Sequence, residues 1–313
     1  MQKILVFGSF VVDLTSRAER LPRAGETVLG SFFKMGPGGK GSNQAVAAHR
    51  AGADLTLVTK VGKDVFGKVA RDFYLSEGMG TDLILEDEEV ETGTALIMVS
   101  ETEGQNQILV VSGACGHITN EDILKAEPAI LAADILMLQL EINQDALERA
   151  VDIASGAGKL VVLNPAPAHP LPGSLLGKIG ILTPNESEAE TLTGIPVTDG
   201  QSAAKAACAL LEMGVKQVVI TMGGKGVFVS DGVREEFLPA IHVKVIDTTG
   251  AGDAFSGGFV TALAEGLDLF DAARFGNATG ALSVTRFGTA PSMPYRVDID
   301  ALIAKEYPEI RRK

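Results

Sequence analysis

Cysteine is nearly missing from this chain. Cys115 and Cys208 are its only two in 313 residues and stand far apart, so neither a disulfide framework nor a zinc cluster is readable. That usage fits a reducing cytosol. Basic charge is scarce too: 27 Lys and Arg against 40 Asp and Glu give a formal net charge of −13. Such a surface repels phosphate backbones and excludes nucleic-acid binding through a basic face. Any anionic ligand must be held by local geometry. No apolar run approaches membrane-spanning length, and the stretch 130–140 is broken by Asp134 and Gln139. The apolar start, residues 4–12, holds Gly8 and Ser9, ends at Asp13 and lacks a small-x-small cleavage site. It reads as a first buried strand rather than a signal peptide. What is left is a soluble, cytoplasmic, globular protein with 46% hydrophobic and 21% charged residues, able to bury a sizeable core.

From about residue 120 onward, apolar strands alternate with amphipathic helices. Strands are expected at 134–140, 159–163, 179–182 and 217–221, with one helix ending at Ser155 and another over 201–213. Short continuous apolar runs separated by helices mark a parallel sheet covered on both faces. Gly156, Gly214 and Gly266 stand where helices should stop. Segments 226–230 and 233–238, joined through Asp231-Gly232, read as an antiparallel edge hairpin, and helices at about 252–265 and 268–285 should close the fold. The N-terminal half breaks this rhythm. Segments 27–34, 94–100 and 107–111 look like strands of another kind, the last two joined by a polar loop at 101–106. They read as a small sheet inserted as a lid, so that 1–313 forms a single α/β domain with lid strands at about 14–36 and 90–112.

Familiar nucleotide fingerprints are absent. Gly36-Pro-Gly-Gly-Lys-Gly41 and Gly223-Gly-Lys-Gly226 lack the first glycine of a Walker A loop and carry Gly where its hydroxyl residue belongs. Gly8 stands without a G-x-G-x-x-G, which weakens a dehydrogenase reading. The 223–226 stretch reads as readily as a tight turn as a site. Gly38-Gly-Lys-Gly-Ser-Asn43 leads into a helix of small residues. Ser42 or Asn43 could cap that helix, but a cap leaves Lys40 between glycines unexplained. Gly250-Ala-Gly252 precedes a helix beginning near Asp253. Backbone N–H groups at such a start are unpaired and, with no side chains before them, can surround an anion. Asp253 alone would read as a helix cap. Beside this cradle it reads better as a base that takes a hydroxyl proton while the N–H groups hold a phosphoryl group.

In order along the chain come Gly8-Ser9 with Asp13, Pro22-x-x-Gly25-Glu26-Thr27, Gly38-Gly39-Lys40-Gly41-x-Asn43-Gln44-Ala45, and Gln139-Leu-Glu141. Asn164-Pro-Ala-Pro167, Thr183-Pro-Asn-Glu-x-Glu188 and Asp247-Thr-x-Gly-Ala-Gly-Asp253 follow. With these motifs in register over essentially its whole length, the chain resembles the ribokinases of the ribokinase-like (phosphofructokinase-B type) carbohydrate kinase family. The resemblance implies a three-layer α/β/α fold with a mainly parallel central sheet and a small β lid. It implies a homodimer joined through the lids, and ATP, Mg²⁺ and an activating K⁺ as cofactors. The implied reaction is phosphorylation of a pentose, D-ribose to D-ribose 5-phosphate.

Position by position, the resemblance makes Asp253 the base and the N–H groups of Gly250, Ala251 and Gly252 the anion hole. Val11, Asp13, Gly39, Lys40, Asn43 and Glu141 fall where the family holds sugar hydroxyls, with Asp13 at the end of the first strand. Asn185 and Glu188 match its Mg²⁺–phosphate shell, Glu188 acting through water. Thr221, Gly223, Gly226 and Asn277 would approach the nucleotide. Asp247, Thr249, Ser283, Arg286, Gly288 and Ser292 occupy the monovalent-cation positions. One residue departs from the pattern: Val11 stands where the family usually carries Asn. The sugar is therefore open among ribose, 2-deoxyribose, another sugar or a nucleoside. A non-catalytic sugar or nucleotide sensor on the same scaffold is the alternative from another class, and the intact Asp253 and Glu188 argue against it.

Overall fold

A computed structural model describes residues 1–102 and 104–310. Its strands are β1 Ile4–Phe7, β2 Val11–Ala18, β3 Phe32–Gly38, β4 Leu55–Gly62, β5 Ile84–Asp87, β6 Thr92–Ser100 and β7 Asn106–Gly113. Then come β8 Ile135–Gln139, β9 Leu160–Asn164, β10 Ile181–Leu182, β11 Gln217–Thr221, β12 Gly226–Ser230 and β13 Glu235–Pro239. The helices are α1 Lys40–Arg50, α2 Val65–Ser76, α3 Asn120–Ala132, α4 Gln144–Gly156, α5 Gly173–Leu176 and α6 Glu186–Thr193. They continue with α7 Gly200–Glu212, α8 Ala251–Ala264, α9 Leu269–Ser283 and α10 Arg296–Glu306.

Among the described residues, nine strands form one sheet in the order β13-β12-β11-β10-β9-β8-β1-β4-β5. It is parallel except for the β11–β12–β13 edge. The central strands are buried on both faces, as their unbroken apolar runs require. In β1, Ile4 and Val6 join one core with α1, α2, α8, α9 and α10, whereas Leu5 and Phe7 join a second with α3, α4, α6 and α7. Alternating side chains thus glue two helical layers to one sheet, the three-layer α/β/α architecture.

The second sheet, β3-β2-β6-β7, is the lid. Asp13 lies opposite Gly36 on β3 and Ala95 on β6. Strand β7 is exposed along nearly its whole length, Ile108 by 51% and Leu109 by 60%.

Several expectations shift. The stretch 4–12 is not one strand: the chain leaves the main sheet at Gly8 and enters the lid at Val11, so Asp13 is a lid residue and not the end of the first strand. The strand expected at 27–34 is displaced to β3 at Phe32–Gly38, because Glu26 gathers Arg20 and the Arg23 N–H into a loop ahead of it. Gly156 is the last residue of α4, and Gly158, at φ 71°, makes the left-handed turn instead. Between the lid segments, β4, α2 and β5 continue the main α/β rhythm that the N-terminal half was read as breaking. Of the loop expected at 101–106, Glu103 lies outside the described residues. Cys115 is buried and Cys208 exposed, both free. Among the described residues no helix is long and apolar enough to cross a membrane.

Candidate active site

Strand order changes direction next to β1, which has β4 on one side and β8 on the other. Open α/β sheets bind ligands outside the carboxyl ends of their strands at such a point. Ser9, just past β1, donates its hydroxyl to Glu141 Oε2, just past β8, at 2.5 Å. The Lys40 backbone N–H donates to the same oxygen at 2.8 Å. Farther along the row stand Asn164 ending β9, Asn185 after β10 and Thr221 ending β11.

Close packing accounts for three of the glycines around Lys40. Gly39, at φ 91°, is the N-cap of α1 with no side-chain cap, so neither Ser42 nor Asn43 serves that role. A Cβ on Gly41 would lie 2.5 Å from Ser9 N, and one on Gly38 would lie 2.1 Å from Asp13 Oδ1. The start of α1 can therefore press against residues 8–10 and the lid, and Lys40 is the one long side chain left there.

Asp253, in the first turn of α8, is only 7% exposed. Asn43 Nδ2 donates to its Oδ2 at 3.0 Å and Gln44 Nε2 to its Oδ1 at 2.9 Å. Burial pushes the Asp253 carboxyl above the ordinary range, opposed first by Lys40 and then by the two amides. Lys40 is in turn held charged by Asp253 above all, with Glu141 and Glu188 contributing against the effect of burial. The Asp13 carboxyl is pushed up to about 7 by burial, with the Thr289 hydroxyl opposing and Glu141 and Asp253 adding. Asn43 Oδ1 is buried without a protein partner, an acceptor left over beside Asp253 and suited to a ligand hydroxyl. Val11 lies two residues before Asp13 on the same lid face, opposite Gly38 and Gly93 and only 4% exposed.

The glycines around Asp253 divide by purpose. A Cβ on Gly257 would lie 2.5 Å from Ala47 Cβ, and one on Gly258 would lie 2.2 Å from Thr279 Oγ1, so these let α8 seat between α1 and α9. A Cβ on Gly252 would meet nothing within 4 Å. Gly250, at φ 77°, is the N-cap without a side-chain bond, and Ala254 N to Gly250 O is the first intrahelical bond. The Ala251 N–H takes Thr248 O in a long 3.2 Å bond. The cradle is open in front of Gly252.

Asn185 and Glu188 form a capping box at the start of α6. The Asn185 N–H and Nδ2 each donate to one Glu188 oxygen at 2.8 Å, and burial raises the Glu188 carboxyl against that bonding. Among the described residues no three His, Cys, Asp or Glu side chains assemble as a metal cage. A single buried carboxylate with free lone pairs suits Mg²⁺, which takes one or two carboxylates and completes its shell with phosphates and water. Thr221 bridges to Asn185, and its N–H donates to Pro184 O. Gly223, at φ 51°, faces open space, whereas a Cβ on Gly226 would lie 2.0 Å from Leu238 O. Packing against β13 explains Gly226. Asn277 does not present its amide hydrogens outward: they bond Pro239 O and Tyr307 Oη, both at 2.9 Å.

Of the residues expected to hold a monovalent cation, Asp247 and Thr249 lie just before α8 and bond to one another. Asp247 accepts from the Thr249 hydroxyl at 2.7 Å and from the Gly288 N–H at 3.0 Å. Burial works against its charge, but these donors and the Thr249 N–H hold its carboxyl below the ordinary range. Ser283 O accepts the Arg286 N–H, the Arg286 guanidinium turns to Asp298, and Ser292 Oγ donates to Thr289 O. Arg286 has only its main chain to offer an ion there.

Ser9, Gln44, Gln139, Asn164 and Thr289 were not singled out as site residues. The first four lie inside or beside the glycine and strand-end motifs, so their position was a signal. Thr289 had none, because its contact to Asp13 spans 276 residues.

A family model described as pfkB family carbohydrate kinase matches residues 1–296. The chain is 43% identical over 297 residues to a ribokinase of Haemophilus influenzae, covering 95% of this chain and 97% of that one. It is 36% identical over 292 residues to a deoxyribokinase of Salmonella typhi, covering 93% and 95% of the two chains. The solved structure of the Arabidopsis thaliana ribokinase complexed with ribose and ATP superposes with a TM-score of 0.88 at 32% identity, covering 96% of this chain and 98% of that one. Motifs, fold and relatives agree that this chain belongs to the pfkB family of carbohydrate kinases.

Proposed function

We propose that this chain transfers the γ-phosphoryl group of ATP to the primary 5-hydroxyl of a pentose, D-ribose first, giving D-ribose 5-phosphate. The observation that carries this is Asp253, a buried carboxylate held by two amides at the bare start of α8. It lies between acceptor-binding groups at the ends of β1 and β8 and donor-binding groups at the ends of β10 and β11. As the hydroxyl oxygen bonds to phosphorus and the bond to the ADP oxygen breaks, Asp253 takes the hydroxyl proton. The N–H groups of Gly250 and Gly252, and that of Ala251 once it gives up its long bond to Thr248 O, stabilise the charge on the phosphoryl oxygens with the α8 dipole. Asp13, Gly39, Lys40, Asn43 and Glu141 hold the sugar hydroxyls, and Thr221 and Gly223 line the nucleotide. Bound Mg²⁺ would be held through water by Glu188 and Asn185 and would neutralise phosphate charge. The ribokinase relatives and the ribose and ATP bound in the Arabidopsis structure support this assignment. A second reading, 2-deoxyribose as acceptor, is favoured by Val11 and by the Salmonella deoxyribokinase.

K⁺ would order the loop 247–249 from outside the anion hole. Two copies would pair through the apolar lid face that Leu96, Leu109 and Val111 share, all exposed, and a monomer in sedimentation equilibrium at working concentration would end that idea. The buried free Cys115 suits a reducing cytoplasm. The central test follows ADP release across pentoses, hexoses and nucleosides, with Asp253→Asn alongside. A pentose should lead, and the variant should lose about 10²–10⁴-fold in kcat with ATP and sugar affinity nearly intact. Parental turnover in the variant would remove Asp253 from the chemistry.

A further inference from the structure

Gln44 stands in a chain of buried amides whose orientations are mutually fixed. Asn164 Nδ2 donates to Thr183 O at 2.8 Å, which turns Asn164 Oδ1 toward Gln44. Gln44 Nε2 donates to that oxygen at 3.0 Å and to Asp253 Oδ1 at 2.9 Å. With both amide hydrogens engaged, Gln44 presents only Oε1 on its other side, where Gln139 Nε2 donates to it at 2.5 Å. Gln44 and Gln139 are wholly buried, so no solvent stands in for a lost partner. Flipping either amide would set acceptor against acceptor. Gln139 Oε1 has no protein partner and fits only because position 8 carries no side chain, since a Cβ there would lie 2.0 Å from it.

We propose that Gln44 and Gln139 are positioning residues for Asp253: Gln139 fixes which way the Gln44 amide points, and Gln44 aims the Asp253 carboxylate at the acceptor hydroxyl. This rests on reading Asp253 as the base. Donation from Gln44 favours the ionised carboxylate, alongside Asn43 on the other oxygen. The charged groups facing Asp253 are Lys40 from α1, Asp13 from β2, Glu141 past β8 and Glu188 from α6. Gln139 reaches it only through Gln44, so a neutral substitution such as Gln139→Met leaves that charged ring as it is, whereas Gln139→Glu adds a charge when ionised.

The test is Gln139→Glu, nearly isosteric but unable to donate when ionised, with Gln139→Met as a neutral version of the same size. Without the Gln139 donor, Gln44 Oε1 is left buried without a partner, which loosens the hold of Gln44 on Asp253, misaims the carboxylate and raises its pKa. A base must be ionised to work, so the acid limb of the kcat–pH profile should move up by about one unit. At its optimum, kcat should fall by about ten- to hundredfold with both KM values within about threefold of the parent. Gln139→Met should do the same more weakly, and it carries the test if Gln139→Glu does not fold. An unmoved acid limb in Gln139→Met, even where the added charge of Gln139→Glu moves it, or a loss seen only in thermal stability or KM, overturns the relay. Asp253→Asn measured in parallel separates the two ideas. If it is inactive while the Gln139 variants behave as parent, only the relay fails; if it is active, the base assignment fails and the relay with it.

Discussion

Thr289 Oγ1 stands 3.2 Å from both Asp13 Oδ2 and Pro37 O, so one hydroxyl from the loop after α9 holds two strands of the lid. The Asp13 carboxyl it touches is pushed from 3.8 up to about 7, by burial above all. A carboxyl raised in the folded state favours folding when protonated. That contribution is complete below the ordinary value and is lost as pH rises through about 7. Asp13→Asn stays neutral throughout. We expect the Tm of the ligand-free variant, relative to the parent, to climb between about pH 4 and 8 in calorimetry. A flat difference would mean that Asp13 ionises normally.

Two glycines of α8 should respond oppositely to alanine. At Gly252 a methyl group meets no protein atom within 4 Å, and Ala is the better helix former, so Gly252→Ala should fold at least as stably. Its methyl would occupy the approach of the phosphoryl group, so KM for ATP should rise and kcat fall. Gly258→Ala places a methyl 2.2 Å from Thr279 Oγ1 and should lose about 1–3 kcal/mol of stability, with KM for ATP little changed in what remains folded. Unfolding curves and ATP titrations of the pair read this directly. Equal behaviour would erase the division between cradle and packing glycines.

Much of the main sheet was legible because buried parallel strands are written as apolar runs, as in β8 and β11. Where strands are short or exposed the pattern fades. The displacement of β3 was set by Glu26 reaching Arg20, a contact between side chains that periodicity does not record. The site was legible where backbone demands glycine. It was dark where it rests on amide orientation, as at Gln44 and Gln139, or on distant loops meeting, as at Thr289 and Asp13. Those depend on tertiary approach, which spacing along the chain does not encode.

Val11 bears on the acceptor. A site built to bond a hydroxyl can reject the deoxy analogue by about 10⁴–10⁵, and a hydrocarbon wall removes much of that penalty. We expect 2-deoxyribose to be used with kcat/KM within about 100-fold of ribose. Val11→Asn should shift preference toward ribose by roughly 1 kcal/mol. The variant needs room, since Val11 Cγ1 packs against Gly93. Competition assays with the two sugars decide it, and an unchanged ratio would show that position 11 does not read the sugar's C2.

Potassium should raise kcat at saturating Mg²⁺, with Na⁺ and Li⁺ weaker because a carbonyl cage suits one ionic size. Asp247, kept ionised by three donors, links the loop 247–249 to Gly288, so an ion there would stiffen the approach to Gly250. Asp247→Asn should lower kcat and blunt the response to K⁺. Equal rates in potassium and in tetramethylammonium would rule the site out.

The strand order has a consequence for how such an enzyme can change. In the proposed assignment, acceptor-facing groups cluster at β1, β8 and the lid, and donor-facing groups at β10 and β11, with Asn164 of β9 between them in the strand order. Substitutions at well-separated positions without shared partners combine nearly additively. The acceptor edge is thus a module that can be retooled for a new sugar while the nucleotide edge is inherited intact. Lys40 is the seam, because its charge answers to Glu141 on one side and Glu188 on the other. Divergence should run freely in the acceptor module away from Lys40, Asn43 and Gln139, which reach Asp253 directly or through Gln44.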